Sequence, residues 1–555
     1  MARLAHWARL HPERIAARFP DTGEAVSYGA LADRANRAAQ WLLGLGLRPG
    51  DGVALLLDNR PEFLELVQAT RDAGLYHTPL SIHLRPPEVA HVLRDSGAKL
   101  VVVSDALADL AEELRREGAT GGLPCYALGN GLPGHGSYEA ALAAYPDPAP
   151  LPERPLGREF LYSSGTTGLP KGIRRPLVPF ADADKPEWDM TWRELYGFGE
   201  GMVYLSPAPL YHAAPHRYVQ RALGEGGTAV VLRRFDPEAA LAAIERFRVT
   251  HSQWVPTMFV RMLALPDEVR RRHDLSSHRC AIHAAAPCPP AVKRAMIAWW
   301  GPILREYYAG SEGVGTTAID SEEWLRRPGS VGRPVNGVRV HITDEAGREL
   351  PPGETGQIWF EGAPRFAYHN APEKTAAAYN DRGWGTLGDL GWLDAEGWLH
   401  LSDRRADLIL SGGVNLYPAE IEAALAAHPD VSEAAVVGVP HPEFGESAHA
   451  VVVPRPGAAE DAVPDWLVVG MELRLAFPAG YEPGVAPDLT ALAEEGFEGV
   501  GPAELTAAWA RHLMAGLDEW RAHGPRRVAE RYLARLLDGA ETPGLRRGID
   551  PATGA

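Results

Sequence analysis

Cysteine is nearly absent from this 555-residue chain, and its three cysteines, Cys125, Cys280 and Cys288, have neither disulfide-framework nor metal-site spacing. That excludes a stapled secreted scaffold and fits a reducing compartment. Lysine is almost as scarce: the only lysines are Lys99, Lys171, Lys185, Lys293 and Lys374, and arginine carries the rest of the positive charge. No uninterrupted apolar run approaches membrane-spanning length, and the first residues contain no long apolar leader segment, so a cytoplasmic protein is expected. A net charge of −17 argues against nonspecific binding of nucleic acid or anionic membranes by the whole surface. What remains is a chain too long for one core, with 45% hydrophobic and 23% charged residues, as globular domains have.

Strand-like and helix-like patterns alternate along the first half. Tyr28 to Leu45 and Glu62 to Asp72 read as helices around the apolar Gly52–Leu57. A helical Pro87–Ser96 then precedes the strand-like Lys99–Ser104, and Leu132 to Gly157 reads as a Pro/Gly-rich surface connection. The alternation resumes with Thr228–Leu232 (strand), Pro237–Phe247 (helix), Val249–Val255 (strand) and a helix opened by Pro256. Short strands dominate after Val338, and a helix over Pro418–His428 and a strand over Val431–Val439 are predicted. This order predicts α/β layers with a largely buried sheet.

One stretch carries most of the chemistry: Tyr162-Ser-Ser-Gly-Thr-Thr-Gly-Leu-Pro-Lys-Gly172. Its glycines let the backbone turn tightly and approach a ligand. Four hydroxyls (Ser163, Ser164, Thr166, Thr167) and one ammonium (Lys171) suit a nucleotide's terminal phosphates, which need donors and a cation. It is no Walker loop, since no glycine directly precedes Lys171 and no Ser or Thr follows it.

Together with Ala284-Ala-Ala-Pro287, Tyr308-Ala-Gly-Ser-Glu312, Gly388-Asp389, Asp403-Arg404 and Ser411-Gly-Gly-Val-Asn-Leu-Tyr-Pro-Ala-Glu-Ile421, this stretch resembles the adenylate-forming superfamily of acyl-CoA synthetases, luciferases and peptide-synthetase adenylation domains. The resemblance covers about the first 450 residues. It implies a large N-terminal α/β domain with layered sheets and helices over residues 1–403. A small, truncated α+β domain over 404–453 and an additional α+β tail over 464–555 would follow. The implied chemistry is ATP-dependent activation of a carboxylic acid as acyl-AMP, then transfer to coenzyme A with release of AMP and pyrophosphate.

Carried over by motif, Ser163, Ser164, Gly165, Thr166, Thr167, Gly168 and Lys171 would cradle the phosphates, Ser311 would join the cofactor contacts, and Glu312 would hold Mg²⁺. Tyr308 would lie on the adenine, with Ala284, Ala285 and Ala286 as the opposite wall. Asp389 and Arg404 would meet the ribose, the latter at the interdomain hinge. His212 would stand between the acyl and nucleotide sites, while His216 could as well be structural. Gly412 and Gly413 would line the pantetheine tunnel. Lys171, His212, Glu312 and Arg404 would thus be the catalytic set. The acid pocket would draw on Tyr211–His216, Trp254–Met262 and the wall near Ala284–Gly310; Trp254, Met258 and Phe259 fit a core equally well.

Two departures matter. The superfamily ends on a lysine that bridges acid and α-phosphate, but no lysine follows Lys374 here. Thr542-Pro-Gly-Leu-Arg-Arg547 offers arginine instead, whose planar fork does not replace a compact ammonium. Beyond Val453 the resemblance stops, and Pro464 onward is similar to part of the biotin/lipoate protein ligase-like proteins. Besides an acyl-CoA synthetase, two readings therefore stay open: an adenylation-impaired nucleotide- and acyl-binding protein, and a luciferase-like oxygenase, which no residue specifically favours.

Overall fold

The computed structural model describes residues 3–163, 170–182 and 191–404, and beyond them 409–411, 414–416, 418, 421–422, 425, 428, 431–441 and 445–454. The chain divides into two compact units, Met1–Leu408 with Tyr417–Ala423, and Ile409–Leu416 with Ala424–Ala555.

The first unit is built on a thirteen-stranded sheet. At its centre six parallel strands lie in the order Ile15–Phe19, Thr228–Val231, Val203–Ser206, His251–Trp254, Cys280–His283 and Leu304–Ala309. Beyond Leu304–Ala309 the sheet continues antiparallel through Thr316–Asp320, Ser330–Pro334, Leu399–Arg404, Asp389–Leu393, Gly356–Glu361 and Arg339–Thr343. The parallel strands are apolar on both faces because helices cover both. Tyr204, Cys280 and Ile282 face a core shared with Tyr218, Val219 and Ala222 of the helix Ala213–Gly224. Their neighbours Leu205, Trp254, Ala281 and Leu304 point the other way, toward Phe259, Met262, Met296 and Trp300. Strand alternation thus decides between the two roles open to Trp254 and Phe259: both are fully buried core.

Local sequence explains the helices on that second face. Asp236 caps Pro237–Phe247 by accepting from the Ala239 amide at 2.8 Å, and proline fills the first position of both this helix and Pro256–Leu263. A second, six-stranded sheet is wholly parallel, with Gly52–Leu56 flanked by Tyr76–Pro79 and Ala98–Val103 and with Arg158–Glu159 at one edge. Within the stretch read as a connection, the structure places the short strand Gly136–Ser137 and the helix Tyr138–Ala143, capped by Ser137. Tyr138 is fully buried and donates to Glu65 Oε2 at 3.2 Å.

In the second unit the described strands form an antiparallel four-stranded sheet in the order Val414–Leu416, Ile409–Ser411, Gly445–Pro454, Val431–His441. Most of the helix predicted over Pro418–His428 lies outside the described residues, as do Gly412, Gly413 and everything after Pro454. Among the described residues no helix is long and apolar enough to cross a membrane.

Candidate active site

The strands flanking the hydroxyl-rich motif, Leu161–Ser163 and Lys171–Ile173, pair antiparallel with Ser163 opposite Lys171. Ser164, Gly165, Thr166, Thr167 and Gly168 lie outside the described residues. Lys171 Nζ sits 5.7 Å from the ring centroid of Tyr368. The Tyr368 hydroxyl donates to Glu312 Oε1 at 2.8 Å. The motif lysine and the candidate metal carboxylate are therefore brought to the same tyrosine, a residue that carries no motif of its own. The Glu312 loop is held from below: Arg175 Nη2 donates to the Ser311 carbonyl at 3.2 Å, and Tyr76 donates to the Arg175 carbonyl at 2.6 Å.

Cys280–His283 and Leu304–Ala309 are adjacent and parallel, so Ala284–Pro287 and Gly310–Glu312 leave the sheet at one carboxyl edge, where open α/β sheets bind ligands. Ala284 is buried, while Ala285 and Ala286 are exposed. Ala285 has φ +80°, a left-handed conformation that costs a non-glycine residue of order 1–3 kcal/mol. Backbone strain of that kind concentrates at ligand clamps, and here it falls on the expected adenine wall.

Tyr308 donates its hydroxyl to Asp389 Oδ2 at 2.6 Å, linking the expected adenine and ribose contacts directly. Asp389 is buried and follows Gly388 at φ +86°. Its carbonyl accepts from Gln357 Nε2 at 3.1 Å, and the same amide donates to Thr386 Oγ1 at 2.7 Å. Across the antiparallel pair, Asp389 stands opposite Arg404, whose side chain is outside the description.

His212 is exposed at the N-cap of Ala213–Gly224, its ring 4.6 Å from that of Tyr211. Desolvation by its surroundings, then the neighbouring His83, lowers its pKa. His216, one turn on, is buried and structural in its contacts. The Thr70 hydroxyl spends its proton on the Leu66 and Val67 carbonyls (2.8 and 3.0 Å), so it accepts from His77 Nδ1 at 3.1 Å. His77 Nε2 then accepts from His216 Nε2, also at 3.1 Å, and both rings are neutral. Burial drives the pKa of His77 down to about 3 and that of His216 to about 4, against 6.5 for free histidine. Because these two groups bind more protons in the unfolded chain, their contribution to stability is complete above about pH 6.5 and is lost as pH falls toward 4. We expect the urea midpoint to fall between pH 7 and 4.5, and His216→Gln, which keeps a donor for His77, to make that fall shallower. An unchanged slope would remove the pair as its cause.

Behind the wall lies a buried ionic pair that sequence reasoning missed. Lys293 Nζ bonds Glu306 Oε2 and lies 4.9 Å from the Trp324 ring centroid, with Lys293 fully buried. Glu306 is two residues before Tyr308, and His283, 3.9 Å from its carboxylate, directly precedes Ala284. The available signal was a lysine on the apolar side of Pro290–Trp300, in line with Met296, Ile297 and Trp300.

A model of the AMP-binding enzyme family matches residues 4–366. A model of the biotin/lipoate A/B protein ligase family matches residues 444–534, beginning before the Pro464 start expected for the tail. Feruloyl-CoA synthase of an Amycolatopsis species is 35% identical, over 86% of this chain and 91% of its own. The structure of o-succinylbenzoate CoA synthetase from Bacillus subtilis, in complex with its acyl-adenylate intermediate, superposes with TM-score 0.67 at 27% identity, covering 82% and 89% of the two chains. ATP-bound MatB from Rhodopseudomonas palustris superposes with TM-score 0.67 at 31% identity, again over 82% and 89%. A family match over more than half the sequence, on this fold and with this carboxyl-edge site, settles the assignment: the chain belongs to the AMP-binding enzyme family, among its adenylate-forming acyl-CoA synthetases and ligases.

Proposed function

We propose that the protein is an AMP-forming acid–thiol ligase that converts a carboxylic acid, ATP and coenzyme A into acyl-CoA, AMP and pyrophosphate. The observation that carries the reading is a pair of tyrosine-centred contacts: the Tyr368 ring meets Lys171 and its hydroxyl meets Glu312, while the Tyr308 hydroxyl meets Asp389. In the first step the acid's carboxylate attacks the α-phosphorus of ATP and pyrophosphate leaves. In the second the CoA thiol attacks the acyl carbonyl and AMP leaves. Lys171 and the motif hydroxyls offset charge on the departing phosphates, which matters because two anions must meet. Tyr308 and Ala284–Ala286 enclose the adenine, and Asp389 accepts from the ribose and Arg404 meets it. His212, held neutral, separates acid from nucleotide without adding a charge.

Glu312 fits Mg²⁺. Its Oε1 is oriented by Tyr368, and among the described residues Oε2 has no hydrogen-bond partner. No cluster of three or more candidate ligands occurs among the described residues, which suits an ion held by one carboxylate, phosphates and water. When bound, the ion would neutralise phosphate charge. The free cysteines Cys125, Cys280 and Cys288 support a cytoplasmic setting.

The relative named feruloyl-CoA synthase makes aryl-propanoid acids the first class to test, beside medium- and long-chain and steroid acids. Incubation with ATP, CoA and each acid, read by mass spectrometry, should give acyl-CoA and AMP with one class. AMP formed without acyl-CoA would mean another acceptor. The lack of any lysine after Lys374 favours one second reading, a protein that binds nucleotide and acyl groups but adenylates poorly. It predicts acyl-CoA only from preformed acyl-adenylate.

A further inference from the structure

We propose that Tyr368 is a positioning residue that stands between Lys171 and Glu312 and keeps each available to its own ligand, the ammonium to the phosphate chain and the carboxylate to the divalent ion. The inference rests on the reading above for Lys171 and Glu312 and gives Tyr368 a role between them.

A site for a metal–triphosphate must present a cation and an anion side by side. Left alone, the two would pair, and each incoming ligand would first have to break that pair. Among the described residues Lys171 and Glu312 form no ion pair with each other; both engage Tyr368 instead. The ring offers its electron-rich face to Nζ at 5.7 Å, a contact that holds a cation without neutralising it. The hydroxyl satisfies Glu312 Oε1 alone. An outer hydrogen bond of this kind is how metal-binding carboxylates are usually oriented.

The tyrosine is itself fixed from several sides. Its backbone bridges Ile173, the next amide (His369) donates to the Gly172 carbonyl at 2.8 Å, and its own amide donates to Thr375 Oγ1 at 2.9 Å. Phe366 packs edge-on at 5.0 Å.

The test measures binding of a non-hydrolysable ATP analogue, metal-free and as its Mn²⁺ complex, to the full chain. Tyr368→Phe keeps the ring and drops the hydroxyl; Tyr368→Leu removes both contacts. The expected result for Tyr368→Phe is a metal-dependent gain in affinity reduced about 10-fold or more, with metal-free affinity unchanged. For Tyr368→Leu both affinities fall. A Tyr368→Phe protein that binds both forms as tightly as the wild type overturns the proposal. So does one that loses both equally, which would mark a general structural role. A wild-type protein that binds neither form overturns the functional reading itself.

Discussion

Asp389→Ala is expected to lower kcat/KM for ATP by about 10²–10⁴-fold, the loss of two hydrogen bonds to a charged acceptor at ~1.5–3 kcal/mol each. One of the two is visible: the Tyr308 hydroxyl at 2.6 Å. The other is the proposed ribose contact. Tyr308→Phe separates them, because it removes only the visible bond and keeps the ring for the proposed adenine contact; about 10-fold is expected. Steady-state kinetics with ATP as the varied substrate measures both. Asp389→Ala within threefold of the wild type would show that this carboxylate does not meet the nucleotide.

The largest stability effect is expected at Lys293. Lys293→Met should cost about 3–5 kcal/mol, because it leaves the Glu306 carboxylate buried without its partner. Glu306 is only 5% exposed, beside His283 and two residues along its strand from the core residue Leu304. Burial already raises its pKa, with the lysine opposing that shift. Lys293→Met combined with Glu306→Leu removes both charges and should recover most of the loss, since a well-packed apolar pair can replace a buried ionic one. The first urea transition of the three proteins measures this. Equal destabilisation of single and double variants would show that packing, not the unpaired charge, sets the cost. The pair lies directly behind Tyr308 and Ala284, so the single variant should also weaken nucleotide binding.

Sequence made some of this legible and hid the rest for identifiable reasons. The helix predicted over Pro237–Phe247 has the ends observed, which the structure explains by the Asp236 cap and by Pro237 in the first turn. Buried parallel strands such as Gly52–Leu56 announce themselves as short apolar runs. The helix Tyr138–Ala143 was missed because six residues hold too few periods to stand out within a Pro/Gly-rich stretch; Ser137 as its cap was the only local cue. For Trp254 and Phe259, spacing is the same for a core and for a pocket, and only the register of neighbouring strands tells which face they take. Tyr308 and Asp389 were read from separate motifs, but their contact spans 81 positions and is a fact of tertiary structure. Tyr368 had no local signal. It reaches the site because its backbone pairs with Ile173, nearly two hundred residues earlier.

This chain is expected to form an acyl-adenylate although no lysine follows Lys374. Pyrophosphate release, measured with and without each acid and with and without CoA, tests it most directly. Release is expected to depend on one class of acid and to rise with CoA. No release with any acid, from a protein that still binds a synthetic acyl-adenylate tightly, would contradict it and leave a formed site that cannot adenylate.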